Sequence, residues 1–81
     1  MSEVRQQIND ILKDTLYIDE AELIDDASLS DDLGMDSLDS VEFVMEIEKK
    51  FNIYIPDENI EKVNTLGEVY TLVEKIISEK E

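Results

Sequence analysis

Apolar residues along this chain recur at helical spacing, not at the alternation of a strand. Val4, Ile8, Ile11, Leu12 and Leu16 fall on one face, which predicts a first helix ending near Leu16, with Ser2 as its cap and Glu3 in its first turn. From Tyr17 to Met35 the period is lost. That stretch is rich in Asp, Glu and Ser, with apolar positions at Ile18, Leu23, Ile24, Leu29 and Leu33. A connection this long is expected to pack on the core or to carry function, and Leu29 and Leu33 are its expected anchors. A second helix is predicted from Ser37 to about Lys50. Phe51 to Ile55 reads as an extended linker, and Pro56 opens a short helical turn through Lys62. Thr65, with Glu68 three residues on, forms a capping box. Behind it Leu66, Val69, Tyr70, Val73, Ile76 and Ile77 make one apolar stripe. The expected fold is all-α: a small four-helix bundle of three longer helices and one short third helix, with a long first loop.

The second helix has two unequal faces. Wound at about 100° per residue, Asp39, Glu42, Glu46, Lys49 and Lys50 share an arc of about 100°. Leu38, Val41, Phe43, Val44, Met45, Ile47 and Phe51 cover roughly 220°, wider than a surface helix needs to bury. Glu48 falls inside that apolar arc, beside Val41, where full burial of a carboxylate would be costly. Two readings fit. Either the whole arc is core and Glu48 snorkels, or Phe43, Val44, Ile47 and Phe51 point inward while Leu38, Val41 and Met45 stay exposed. In the second case they form an apolar patch with an acidic rim, as a docking surface does.

Composition narrows the functions available. With 81 residues the chain is expected to be one small domain. Seven basic residues against 22 acidic ones leave a net charge of −15, which argues against nucleic acid and against anionic membrane surfaces as partners. It favours proteins with basic patches, and its self-repulsion favours a monomer. There is no cysteine and no histidine, so thiolate metal sites, disulfides and the usual general base are excluded. Met1 to Gln7 has no apolar run of the signal-peptide kind, and a cytoplasmic location is the default expectation.

Against this background the segment Leu33-Gly34-Met35-Asp36-Ser37-Leu38-Asp39-Ser40-Val41-Glu42 stands out. It offers a hydroxyl just after a glycine turn, at a helix N-terminus that presents unpaired N–H groups. Serine-hydrolase chemistry needs a base and an orienting acid, which the chain cannot assemble without histidine. The second glycine of a nucleophile elbow is missing as well. The acidic run Asp31-Asp32-Leu33-Gly34-Met35-Asp36 fails the spacing of a calcium loop, because Leu33 and Met35 stand where oxygen ligands belong. No metal site and no catalysis are expected. Ser37 reads as a point of attachment.

At these residues the chain resembles the acyl carrier protein family, of the free-standing bacterial type. Leu33 to Met45 is similar to the segment to which that family's phosphopantetheine is attached. Phe51-Asn52-Ile53-Tyr54-Ile55-Pro56-Asp57-Glu58 resembles its approach to the third helix. Length, acidity and helix order agree, so the resemblance spans residues 1–81 as a single acyl-carrier-like domain. It implies that Ser37 is esterified with 4′-phosphopantetheine by a separate transferase, with Asp36 supporting. The prosthetic group would then supply the thiol that the chain lacks. The resemblance further implies partner contacts through Asp36, Leu38, Asp39, Val41, Glu42, Met45 and Glu48. An acyl pocket would be lined by Phe43, Ile47, Ile60, Val63 and Val69. The implied role is delivery of acyl thioesters to enzymes of fatty-acid synthesis. A carrier for a specialised polyketide or aminoacyl pathway, or an acidic helical interaction module without a covalent cofactor, are the alternatives. Lys49, Lys50 and Glu46 depart from the charge pattern common in close bacterial relatives.

Self-repulsion predicts that salt or magnesium raises the melting temperature, because the Debye length shrinks from about 30 Å at 0.01 M to about 10 Å at 0.1 M. Melts recorded across that range check this; a midpoint indifferent to both would contradict it.

Overall fold

The computed structural model describes residues 2–80. It contains α1 (Ser2–Leu16), α2 (Ser37–Phe51), α3 (Asp57–Glu61) and α4 (Leu66–Lys80), with a single 3-10 turn over Glu20–Glu22. The all-α expectation holds, and the long connection separates α1 from α2. Ser2 is already helical, so the capping position of α1 lies outside the described residues. Pro56 stands at the N-cap of the short α3, before its first helical residue. Among the described residues the one β-type pairing is an isolated antiparallel bridge between Ser28 and Thr65.

The core collects one stripe from each long helix. Ile8 and Leu12 of α1, Phe43 and Ile47 of α2, and Leu66, Val69 and Val73 of α4 are almost wholly buried, with Ile55 from the linker between α2 and α3. Each such side chain is worth about 1.5–3 kcal/mol relative to exposure. The ion pairs are exposed for the most part, as in Lys13–Glu20 at 3.0 Å and Lys49–Glu46 at 3.5 Å, and pairs of that kind are worth about 0–1 kcal/mol. Apolar burial therefore holds the fold against a net charge of −15. Arg5 is the most connected cation. It faces Asp25 at 3.7 Å and Glu74 at 3.4 Å, and its guanidinium lies 5.1 Å from the centre of the Tyr70 ring. Tyr70 donates its hydroxyl to Asn9, and burial pushes its pKa up.

The long connection is anchored more heavily than its sequence suggests. Leu29 is buried and Leu33 is half-buried against the core, as expected, but Ile18, Leu23, Ala27 and Met35 are buried as well. Ile24 turns outward. Backbone hydrogen bonds then tie the connection to the start of α4. Leu29 N–H donates to Asn64 O at 2.9 Å, Leu66 N–H to Ala27 O at 3.0 Å, and Gly67 N–H to Asp25 O at 2.9 Å. The last contact favours glycine, since a Cβ at position 67 would lie 3.0 Å from Asp25 O and the backbone there would have to give slightly. The acidic run is used locally: Asp32 accepts from Ser28 N–H at 2.7 Å, closing the turn that precedes Gly34.

At the other end of α2, Asn52 takes the left-handed conformation at the C-cap and donates its N–H to Glu48 O. Lys80 donates to Asn52 O, joining the end of α4 to that turn. The linker thus begins at Asn52, one residue later than the hydrophobic pattern suggested, because Phe51 completes the helix and packs on the core.

The capping box of α4 forms. Glu68 accepts from Asn64 N–H at 2.8 Å and Thr65 N–H at 3.0 Å, and Thr65 Oγ1 accepts from Glu68 N–H at 3.3 Å. The two backbone donors hold the Glu68 pKa below its ordinary 4.5. A carboxyl with a lowered folded pKa stabilises fully above its unfolded value, and that contribution fades as pH falls through the folded one. Glu68→Gln should therefore melt below the wild type at pH 7, with the gap closing below about pH 4. Paired melts from pH 7 to pH 3 check this, and a gap that widens towards acid would refute the assignment.

Candidate functional site

The approach to α2 is built residue by residue. Gly34 has φ of +66°, in the left-handed region, with open space where a Cβ would stand. Glycine is needed for that conformation and not for room. Met35 follows with its side chain buried and its N–H donated to Leu29 O at 2.9 Å. Asp36 is extended, with φ −93° and ψ −175°, and caps α2. Its carboxylate accepts from Asp39 N–H at 2.8 Å, while Asp39 reaches back to Asp36 N–H at 3.4 Å. Anchored methionine, extended cap and helix start together leave Ser37 as the first helical residue, exposed to solvent.

Ser37 borders a cleft of about 510 Å³ between α2, α3 and the long connection. Its buried floor is Leu29, Met35 and Phe43, with Ile60 and Val63 on the far wall. Of the five residues expected to line a pocket, Phe43, Ile60 and Val63 do so. Ile47 and Val69 are not among its lining residues, because both are wholly buried behind it in the core. No lysine, histidine or cysteine lines the cleft. Among the described residues there is no cluster of metal-ligating side chains. No helix of the described residues is long and apolar enough to cross a membrane.

The outer face of α2 resolves the choice between its two readings. Leu38 is 68% exposed, Val41 55% and Met45 54%, whereas Phe43, Val44 and Ile47 are buried. Glu42 is exposed beside them and Asp39 is half-buried. Glu48 is also half-buried, and one of its carboxylate oxygens accepts from Ile55 N–H at 2.8 Å. Its place inside the apolar arc is thus paid for by a hydrogen bond to the linker. The hydrophobic pattern missed Tyr54, which is 73% exposed and shares a small second cleft with Val41 and Met45. The signal was present in Ile53-Tyr54-Ile55: an extended triplet with Ile55 buried must turn its middle side chain outward.

The site is thus an exposed hydroxyl at a capped helix start, above an apolar-floored cleft and beside the exposed face of α2. The family described as "Phosphopantetheine attachment site" matches residues 6–73, and the chain belongs to it. The acyl carrier protein of Amoebophilus asiaticus (strain 5a2) is 44% identical over 80 residues, covering 99% of this chain and 100% of the relative. That of Porphyromonas gingivalis is 43% identical over 75 residues, covering 93% and 96%. A solved Mycobacterium tuberculosis chain described as an acyl carrier protein superposes with a TM-score of 0.83 at 32% identity, over 89% of this chain and 96% of that one. The chain is thus an acyl carrier protein by family, and 4′-phosphopantetheine is the covalent prosthetic group of such carriers. Proteins of this family work with a phosphopantetheinyl transferase and with acyl-processing enzymes.

The cap predicts a stability difference. Asp36→Ala should cost about 1 kcal/mol, while Asp36→Asn, which keeps the accepting oxygen, should be close to neutral. Urea titration of the unmodified protein checks both; equal losses would mean that charge, and not the cap, is what matters.

Proposed function

We propose that Ser37 is the attachment point and that the chain carries acyl groups as thioesters on a 4′-phosphopantetheine arm, for fatty-acid synthesis in the cytoplasm. The observation behind this reading is the exposed Ser37 hydroxyl at the rim of an apolar-floored cleft. The residues there fit the group. The first-turn N–H groups of α2 that the Asp36 cap does not use would hold an attached phosphate, and the cleft is of the size that shelters a small ligand. When bound, the arm supplies the thiol that a chain without cysteine lacks.

In the modification, the Ser37 oxygen bonds to the phosphorus that bears pantetheine. The pyrophosphate bridge of coenzyme A breaks, adenosine 3′,5′-bisphosphate leaves, and the hydroxyl proton passes to a base on the transferase. This division of labour suits a chain with no histidine. The protein acts as one carrier domain and as a carrier, not a catalyst. Leu29, Met35, Phe43, Ile60 and Val63 shelter part of the cargo, with Ile47 and Val69 supporting them from the core. Asp36, Leu38, Asp39, Val41, Glu42 and Met45 meet the partner enzymes. Glu48 joins them through the oxygen that Ile55 does not use.

Intact mass after incubation with coenzyme A and a phosphopantetheinyl transferase tests the proposal. Wild type should gain one phosphopantetheinyl group and Ser37→Ala none. A wild type that stays unmodified would leave an acidic helical interaction module.

A further inference from the structure

Two clefts lie along the same stripe of α2. The larger, of about 510 Å³, touches Ser37, Ser40 and Val41. The smaller, of about 190 Å³, touches Ser40 and Val41 again and continues to Val44, Met45 and Glu48. Steps of three and four residues keep these positions on one side of the helix. Asp57 and Ile60 of α3 border both clefts, so the two form one groove between α2 and α3. It runs about 16 Å from Ser37 to Glu48 at 1.5 Å per residue. Depth is the direction the groove lacks. Phe43 closes the floor of the larger cleft and is almost wholly buried, while Ile47 and Val69 are wholly buried and touch neither cleft. A chain reaching them would have to displace an aromatic ring from a close-packed core. Sideways the groove stays open, over a floor of buried Val44 and Ile55.

We infer that the cargo runs sideways along α2 into the second cleft, with Phe43 as its stop in depth and Tyr54 as its outer cover. This rests on the carrier reading and deepens it. The substrate class is an acyl chain long enough to pass Val41 and Ile60, with an uncharged far end. The mouth beside Ser37 is polar, with Asp57, Glu61 and Asn64 along it, and suits the amides of the arm. Past Val41 and Ile60 the lining turns to Val44, Met45, Tyr54 and Ile55, which match an alkyl chain. Tyr54 and Met45 are more than half exposed, and a chain lying in the cleft takes one side of each out of water. The flexible thioether of Met45 adapts to chains of different length. Glu48 and Asp57 stand at the same cleft, so a terminal carboxylate would meet like charge there.

Carriers loaded from acyl-coenzyme A by a phosphopantetheinyl transferase test this, with methyl and aromatic-ring NMR signals as the readout. Relative to the carrier with a free thiol, a butanoyl group should shift Ile60 and Val63. A decanoyl group should shift Val44, Met45 and Tyr54 as well, and leave Ile47 and Val69 nearly still. A chain of the same length that ends in a carboxylate should leave Met45 and Tyr54 as the butanoyl group does. Tyr54→Ser removes the cover at an exposed position, so its fold should be kept. It should speed hydroxylamine cleavage of the decanoyl thioester about threefold, because less of the chain is sheltered, and leave the butanoyl thioester unchanged. Decanoyl shifts at Ile47 and Val69 without any at Met45 and Tyr54 would overturn the inference, as would shifts at none of the four. Intact mass reads the carrier reading separately. If the wild type gains no phosphopantetheinyl group, that reading fails and the sideways path falls with it.

Discussion

The seam between the long connection and the start of α4 is the constraint on which the site depends. Ordering the connection between α1 and α2 costs conformational entropy that a mobile segment would keep, so contacts must hold it in place. Three backbone hydrogen bonds from Leu29, Leu66 and Gly67 hold it, and buried Leu23, Ala27 and Leu29 seal it to the core. The close approach at Gly67 leaves little space for a side chain between α4 and Asp25. Once that seam is made, Met35 is placed by its bond to Leu29 O, and Asp36 and Ser37 follow by chain continuity. Met35 is buried, and Asp36 and Ser37 beyond it are exposed.

The two faces of α2 differ sharply in burial. Phe43, Val44 and Ile47 are given to the core, and Leu38, Val41 and Met45 are left out of it. Leaving three large apolar groups more than half exposed forgoes part of the about 1.5–3 kcal/mol that full burial of each would contribute, a loss that folding alone does not require. A small domain with modest stability tolerates this where the surface has a partner to meet. Glu48 shows how the division is enforced. Its hydrogen bond to Ile55 N–H fixes the linker against α2 and keeps a carboxylate inside an apolar arc. Tyr54 is thereby turned out beside Val41 and Met45.

Charge acts on a different scale. With 22 acidic residues against seven basic ones, most individual pairs are exposed and weak, yet the field of the whole chain reaches about a Debye length into solvent. A field of that kind steers oppositely charged molecules without specifying how they sit.

Helix order, the capping box at Thr65 and Glu68, and the serine at the start of α2 were legible in the residues because each depends on neighbours three or four positions away. Hydrophobic period, side-chain oxygen and dipole are all read locally. The pocket was legible only in part. Phe43, Ile60 and Val63 line it, while Ile47 and Val69, apolar and correctly spaced, lie behind them, since spacing distinguishes inside from outside and not wall from floor. The weight of Ile18, Leu23, Ala27 and Met35 in the long connection was hidden as well, because an aperiodic segment carries no signal of which side chains will find the core. Local chemistry determined which helices form and where the hydroxyl stands. Tertiary contact alone decided which apolar residues are sheltered, because burial depends on what the rest of the chain brings to the other side.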